Sequence, residues 1–171
     1  MYSESDTGPV PSPERPEMAI EVGDLAPEFS LKNQFGQVVT LSQFKGDKNV
    51  VLIFFPKAFT GICTAELCAI RDEKATIVDD DTVVFGISTD TDATLKAFAE
   101  AESYDYDLLS DHWPHGATAT DYGVFLDGPG FATRGTFVID KEGVVRWSVI
   151  NGPGDARSND DYRAALAQIK G

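Results

Sequence analysis

Two cysteines are the residues of this chain best suited to covalent chemistry, and both lie in one short segment. Cys63 follows an apolar run at residues 50–55 and precedes a pattern typical of a helix, so we expect it in the first helical turn. Unpaired N–H groups and the positive end of the helix dipole favour a thiolate at this position. Cys68 follows so closely that a disulfide between the two would stabilise the fold little through chain entropy. The pair is therefore expected to be reactive rather than structural.

The residues just before Cys63 indicate the surroundings in which its sulfur would react. Pro56 ends the apolar run, has no N–H to donate, and can shield one side of the thiol from water. Thr60 stands three residues before Cys63, where its hydroxyl can exchange a hydrogen bond with a small oxygen-containing substrate. Each also has an ordinary interpretation, since Pro56 can simply end a strand and Thr60 can cap a helix. Together with Cys63 they predict a tight, polar pocket beside a thiolate.

The elements that must position these residues alternate between strand and helix. Alternating or continuous apolar runs predict strands at residues 29–31, 38–41, 50–55, 82–88, 107–110, 135–140 and 144–149. Helices are predicted from Cys63 to about residue 78, over residues 92–103 and over residues 162–169. This order predicts an α/β domain with a central mixed β-sheet, flanked by helices on both faces and preceded by an N-terminal hairpin. It is the layout of a three-layer thioredoxin-like domain, although periodicity alone does not separate that fold from other three-layer folds.

The chain divides into a short arm and one folded domain. Residues 1–17 are acidic, rich in Pro and Ser and poor in apolar residues, which is typical of a disordered arm. Residues 18–171 are expected to form a single domain, because 171 residues are ample for one hydrophobic core. The N-terminus lacks the apolar segment of a signal peptide, and no apolar run approaches the roughly 20 residues that span a bilayer. A cytoplasmic location is therefore expected.

Charge limits the partners that this chain can have. Asp and Glu number 28 against 14 Lys and Arg, and the net charge is −14. Such a surface repels nucleic acid and anionic membranes, so we expect neither as a partner. The excess of carboxylates favours adaptation to a high-salt cytoplasm, where self-repulsion is screened, over an ordinary acidic cytosolic protein.

The motif Pro56-x-x-x-Thr60-x-x-Cys63 resembles the active-site motif of the peroxiredoxins. The resemblance extends over nearly the whole domain, from residues 22–29 to residues 134–140. Within that family the chain is most similar to the alkyl hydroperoxide reductase E class, on the evidence of residues 59–63, 109–116 and 122–125. The resemblance implies a thioredoxin fold, a homodimer, and a thiol-dependent peroxidase that needs no metal or organic cofactor.

The resemblance also implies a role for each residue of the motif. Cys63 would be the peroxidatic cysteine, attacking the terminal peroxide oxygen as a thiolate and becoming a sulfenic acid. Thr60 would align the peroxide, and Pro56 would shield the sulfenate. Arg134 matches the family's arginine, which lowers the thiol pKa and stabilises the leaving oxygen, although an arginine in an acid-rich protein is more often a surface ion-pair partner. The implied substrates are hydrogen peroxide and organic hydroperoxides, with thioredoxin, a glutaredoxin-like protein or a low-molecular-weight thiol as reductant.

Cys68 departs from the reductase E pattern. The spacing Cys63-x-x-x-x-Cys68 resembles the peroxiredoxin Q (bacterioferritin-comigratory) class, in which the second cysteine resolves the sulfenic acid into an intramolecular disulfide. Five residues of helix rise about 7.5 Å, whereas the Cα atoms of a disulfide lie within about 7 Å. Resolution by Cys68 therefore requires the first helical turns to unwind. The alternative is a 1-Cys enzyme in which Cys68 is a buried spectator.

Three other functions use a similar fold or sequence. A general thiol-disulfide oxidoreductase usually has the motif Cys-x-x-Cys. A copper-delivery protein requires Cys-x-x-x-Cys and a histidine ligand. In this chain four residues separate the two cysteines, so neither spacing is matched. The third alternative is a non-catalytic holdase activity, which would survive loss of Cys63.

His112 and His115 flank Trp113 but have no cysteine nearby, so we interpret them as structural residues, at a subunit contact, rather than metal ligands.

Overall fold

The computed structural model describes residues 20–60, 67–68, 70, 72 and 81–151. Nine strands are assigned in this part of the chain: β1 (Ser30–Asn33), β2 (Val38–Thr40), β3 (Asn49–Phe54), β4 (Thr82–Ser88), β5 (Asp107–Ser110), β6 (Phe125–Leu126), β7 (Phe131–Ala132), β8 (Arg134–Ile139) and β9 (Val145–Asn151). The helices with described bounds are a 3-10 turn (Leu41–Phe44), α1 (Asp92–Glu102) and α2 (Ala117–Asp121). None of the helices within these ranges is long and apolar enough to cross a bilayer.

Seven strands form one mixed sheet in the order β2-β1-β5-β4-β3-β8-β9. The neighbours β3 and β4 run parallel, as do β4 and β5, whereas the remaining pairs are antiparallel. Strands β6 and β7 form a separate two-stranded hairpin. The predicted mixed sheet with an N-terminal hairpin is thereby confirmed.

Strand β3 lies inside the sheet between β4 and β8, and all six of its residues are buried. Its alternate side chains enter two different cores, which explains the continuous apolar run in the sequence. Val51 and Ile53 pack in the core that contains Leu95 and Phe98 of α1. The opposite face packs in the core that contains Ala119 of α2. Helices therefore cover both faces of the sheet, as the order of predicted elements indicates.

Helix α2 begins just after a buried carboxylate that holds its first residues. The Thr118 and Ala119 N–H groups donate to the two carboxylate oxygens of Asp111, at 3.0 and 2.8 Å. Burial raises the pKa of Asp111 above its ordinary value, and these two hydrogen bonds only partly oppose the increase. A carboxylate at this position also interacts favourably with the helix N-terminus.

The turn between β8 and β9 depends on a second carboxylate. The Glu142 and Val144 N–H groups each donate to Asp140 Oδ1 at 3.0 Å, and the Arg146 Nε–H donates to Asp140 Oδ2. Burial alone would raise the pKa of Asp140, but these hydrogen bonds and the Arg146 charge outweigh it and hold the pKa below its ordinary value. The ionised form of Asp140 is thus part of the folded turn.

Predicted and observed boundaries differ mostly by one or two residues. The strands predicted at residues 82–88 and 107–110 coincide with β4 and β5. The second strand of the first hairpin ends before Leu41, because the Gln43 side chain accepts the Thr40 N–H and starts a 3-10 turn. Helix α1 ends one residue early, because Ser103 adopts a left-handed conformation. Helix α2 and the β6–β7 hairpin were not predicted, since elements of two to five residues carry too little periodicity.

Part of the predicted helix after Cys63 can be compared with the structure. Leu67, Cys68, Ile70 and Asp72 are helical, as predicted. The remainder of that helix lies outside the described residues, as do residues 1–17 and the helix predicted at 162–169.

Candidate active site

The loop of residues 56–60 leaves the carboxyl end of β3. Phe55 still donates its N–H to Ile87 O at 3.0 Å, which continues the pairing of β3 with β4 by one residue. Pro56 is the next residue, and it is buried. Because proline has no N–H, the ladder ends here. The sequence prediction that Pro56 ends the strand is therefore correct.

The backbone of this loop is strained at Phe59, whose φ is 63°. An aromatic residue rarely adopts this left-handed conformation, and such strain persists only where the surroundings hold it. Two contacts do so. The Ala58 N–H donates to Asp90 Oδ2 at 2.8 Å, and the Phe59 ring packs 5.0 Å from that of Phe98. Asp90, which follows β4, and Phe98 of α1 therefore hold Ala58 and Phe59 in place.

Asp90 is the residue of this site that sequence reasoning missed. It follows β4, the parallel neighbour of β3, so its carboxylate lies at the same edge of the sheet as the loop. The Ser88 hydroxyl also donates to Asp90 Oδ2 at 2.6 Å, and the Ser110 hydroxyl donates to the Asp90 carbonyl at 2.6 Å. The sequence does contain a signal for Asp90, because it is a polar residue just after a buried strand, and parallel strands end at a common edge of the sheet.

Thr60 has a defined hydroxyl orientation. Its Oγ1–H donates to Lys57 O at 2.9 Å, and the residue is exposed. With its proton committed to the backbone, the hydroxyl offers its lone pairs to an incoming O–H group. Thr60 is thus suited to accept a hydrogen bond from a small protic substrate.

Arg134 is brought to the same end of the sheet by strand register. Phe54 of β3 pairs with Gly135 of β8, so Arg134 lies beside the point at which the loop begins. A Cβ on Gly135 would lie 2.7 Å from Val124 Cγ1, so glycine is required for this close packing. Arg134 is only 2% exposed, which is unlike the surface ion-pair partner that its residue type alone suggests.

The β6–β7 hairpin also lies against the loop. The Lys57 ammonium sits 5.1 Å above the ring of Phe131 in β7. His115 Nε2 lies 2.6 Å from the carbonyl of Gly130, which precedes that strand. His112 Nδ1 lies 3.3 Å from Thr89 O. Both histidines therefore contact backbone carbonyls, which agrees with a structural role.

Of the two cysteines, Cys63 lies outside the described residues and Cys68 within them. Cys68 is a free, partly buried thiol. Its Sγ donates to Glu102 Oε1 at 3.4 Å and lies 3.5 Å from the Tyr104 hydroxyl. These contacts are compatible with both interpretations of Cys68, as a resolving cysteine and as a spectator.

Strand register places Arg134 beside the end of β3, and Pro56 and Thr60 lie in the loop that leaves this end of the strand. The sequence profile of the AhpC/TSA family matches residues 22–148, a range that contains these residues and Cys63. The chain belongs to the AhpC/TSA family. Members of this family are peroxiredoxins, so the chain is a thiol-dependent peroxidase.

Comparisons with individual proteins agree with the assignment to the AhpC/TSA family. The chain is 43% identical to alkyl hydroperoxide reductase E of Mycobacterium tuberculosis over 150 residues, which covers 88% of this chain and 98% of the relative. It is 35% identical to the chloroplastic 2-Cys peroxiredoxin BAS1 of Hordeum vulgare, covering 87% of this chain and 75% of the relative. The crystal structure of peroxidoxin BcpB from Mycobacterium tuberculosis superposes with a TM-score of 0.79 at 33% identity, over 89% of this chain and 99% of the other. These matches confirm the thioredoxin-like fold of the peroxiredoxins.

Proposed function

We propose that Cys63 is the peroxidatic cysteine and reduces hydrogen peroxide and organic hydroperoxides. The thiolate sulfur attacks the terminal oxygen, a new S–O bond forms, and the O–O bond breaks. The leaving oxygen takes up a proton as water or an alcohol, and Cys63 is left as a sulfenic acid. The observation that supports this most directly is the position of Pro56, Thr60 and a buried Arg134 around one edge of the sheet, in the order of the peroxiredoxin motif.

Each neighbour would contribute a separate effect. Thr60, with its hydroxyl proton held by Lys57 O, would accept the peroxide O–H and align the O–O bond with the sulfur. The Arg134 guanidinium would favour the Cys63 thiolate and stabilise charge on the leaving oxygen, and its burial makes the effect stronger than in water. Pro56, itself buried, would keep water from the sulfenic acid.

We further propose that Cys68 resolves the sulfenic acid as an intramolecular disulfide after local unwinding of the helix. The disulfide would then be reduced by thioredoxin, a glutaredoxin-like protein or a low-molecular-weight thiol. Support comes from the free state of Cys68 and from its spacing to Cys63. The alternative is a 1-Cys cycle, in which the external thiol attacks the sulfenic acid directly.

The assembly and the surroundings of the enzyme are part of the proposal. Trp113 is 82% exposed and is flanked by His112 and His115, and a large exposed aromatic residue is typical of an interface. We therefore infer a homodimer with this loop at the contact. A cytoplasmic location and the division into a 1–17 arm and an 18–171 domain remain predictions from the sequence.

Peroxide consumption tests the function. The protein should consume hydrogen peroxide and cumene hydroperoxide in the presence of dithiothreitol, and Cys63→Ser should abolish both activities. Cys68→Ser is the matched control, because it removes the other thiol yet should keep at least one turnover of peroxide reduction. Retention of multiple-turnover activity by Cys63→Ser would contradict the assignment, and reduction of a disulfide substrate without any peroxide consumption would favour the oxidoreductase alternative.

A further inference from the structure

Three polar groups from one short segment converge on the helical residues Leu67 and Cys68. The Tyr106 hydroxyl donates to Leu67 O at 2.8 Å, and Glu102 Oε1 accepts the Cys68 thiol at 3.4 Å. The Tyr104 hydroxyl lies 3.5 Å from Cys68 Sγ, within hydrogen-bond distance. We call Glu102, Tyr104 and Tyr106 the polar triad. All three of its members act on the stretch that must unwind if Cys68 is to reach Cys63.

The polar triad stands on a rigid base. Tyr104 and Tyr106 are both buried, and their rings lie 5.4 Å apart. Tyr104 also packs edge-on against Phe98 at 5.2 Å. The buried Gln34 side chain accepts the Leu108 N–H at 2.9 Å and donates to Tyr106 O at 3.3 Å, which fixes the backbone on both sides of residue 107. Tyr104 and Tyr106 are thus held from several sides. Release of Cys68 therefore requires movement of the helical segment that carries it, and not movement of the polar triad.

We propose that the polar triad holds Cys68 in its folded position and sets the rate at which Cys68 becomes available to Cys63. The proposal rests on the proposed function and makes Glu102, Tyr104 and Tyr106 positioning residues. Leu67 itself is fully buried, so its side chain resists the same movement through packing. The polar triad adds a directional restraint through hydrogen bonds, which substitution of the triad side chains can remove while Leu67 itself is unchanged.

The step that the polar triad controls is a balanced condensation. The Cys68 sulfur attacks the sulfenic sulfur of Cys63, an S–S bond forms, and the S–O bond breaks. The hydroxide leaves and takes up the proton of the Cys68 thiol as water, so no further oxidant is needed. Because Cys68 does not touch the peroxide, the restraint should act on disulfide formation and not on the preceding attack by Cys63.

Rapid mixing with hydrogen peroxide, acid quenching and mass analysis separate the two steps. Tyr106→Phe removes one hydroxyl and Glu102→Ala removes the thiol acceptor, and each should speed disulfide formation about 3- to 10-fold. The rate of sulfenic acid formation in the same traces serves as the internal reference. A merely structural role would change both rates or neither, whereas positioning of Cys68 changes only the second.

Two control variants match these changes chemically. Tyr122→Phe removes a buried hydroxyl that donates to Pro27 O at 2.7 Å, in the other core. Glu100→Ala removes the same charge from the exposed face of α1. Both controls should leave the disulfide rate within about 2-fold of the wild-type rate. Equal acceleration by the controls, or no acceleration by the triad variants, would overturn the proposal.

A second measurement distinguishes failure of the proposal from failure of the proposed function. In a Cys63→Ser background, alkylation of Cys68 by N-ethylmaleimide should be about 3- to 10-fold faster with Tyr106→Phe than without it. If peroxide produces no sulfenic acid at Cys63, the proposed function is wrong, and the alkylation rates still decide whether the polar triad restrains Cys68. If the wild type forms sulfenic acid but never a disulfide, Cys63 remains peroxidatic and the role of the polar triad in resolution is overturned.

Discussion

At the scale of single residues, Asp90 connects the strained loop to the sheet. Its carboxylate accepts the Ala58 N–H and the Ser88 hydroxyl, and the loop residue between Ala58 and Thr60 adopts a left-handed backbone. Thr60 and, beyond it, Cys63 follow directly along the chain. Loss of this anchor is therefore expected to displace Thr60, which we propose aligns the peroxide.

We expect Asp90→Ala to lower kcat/KM for hydrogen peroxide about 10- to 100-fold, since misplacement of a reacting group by about 1 Å has effects of this size. The measurement is single-turnover oxidation of Cys63, together with circular dichroism to verify the fold. Asp92→Ala is the control, because it removes the same charge two residues away and should change the rate less than about 3-fold. An unchanged rate in a folded Asp90→Ala protein would show that the loop keeps its geometry without this anchor.

The residue scale also shows what sequence can reveal about the site. Pro56 and Thr60 are predicted as site residues because they lie close to Cys63 in sequence, and the family resemblance adds Arg134 from far along the chain. Asp90 could not be found in this way, because its link to Ala58 depends on the parallel pairing of β3 with β4. Contacts of Cys68 with Glu102 and Tyr104 were likewise inaccessible, since they join distant segments through side chains alone.

At the scale of elements, the β8–β9 hairpin positions Arg134 at one end and depends on Asp140 at the other. The pKa of Asp140 is held below its ordinary value of 3.8 by its hydrogen bonds and by Arg146. A carboxylate with a lowered folded-state pKa stabilises the fold above its unfolded pKa, and this contribution is lost as pH falls through the folded value. The hairpin should therefore weaken in acid.

We expect Asp140→Asn to lower the free energy of unfolding by about 1 to 3 kcal/mol near neutral pH. The difference from wild type should stay constant down to about pH 5 and close progressively below about pH 4, since the wild-type carboxylate then becomes protonated as well. Urea unfolding at a series of pH values measures this. The exposed Asp127 provides a control, and Asp127→Asn should differ little from wild type at any pH. A difference that persists undiminished at pH 2 would mean that the charge of Asp140 is irrelevant to the turn.

Predictability at this scale followed element length and periodicity. The apolar run at residues 50–55, which covers most of β3, and the apolar stripe of α1 were evident from the sequence, because burial on two faces or on one face imposes a definite pattern. Helix α2 depends instead on Asp111, which accepts hydrogen bonds from the Thr118 and Ala119 N–H groups. A periodic pattern of apolar residues does not reveal such bonds. The β6–β7 hairpin has two residues per strand, too few for alternation to be recognised.

At the scale of the whole molecule, the dominant feature is the net charge of −14. Excess like charge destabilises a compact state by self-repulsion, and salt weakens this repulsion by shortening the Debye length from about 10 Å at 0.1 M to about 3 Å at 1 M. The stability of the enzyme should therefore depend on the salt concentration.

We expect the Tm to rise by several degrees between about 0.05 M and about 1 M KCl, with most of the increase at the lower concentrations, where screening changes fastest. Differential scanning fluorimetry in KCl provides the measurement, and the same series in sucrose separates screening from general exclusion effects. A Tm that is flat or falls with KCl would contradict adaptation to a high-salt cytoplasm and favour an ordinary acidic protein.

The most direct test of the account is intact mass with thiol counting after one equivalent of hydrogen peroxide. Wild type should lose two hydrogens, Cys68→Ser should gain one oxygen, and Cys63→Ser should be unchanged, because Cys63 is oxidised first and Cys68 then closes the disulfide. If wild type and Cys68→Ser both gain one oxygen, the enzyme follows the 1-Cys cycle instead. If neither protein reacts promptly, or if Cys63→Ser is the one that gains oxygen, the assignment of Cys63 as the peroxidatic residue is wrong.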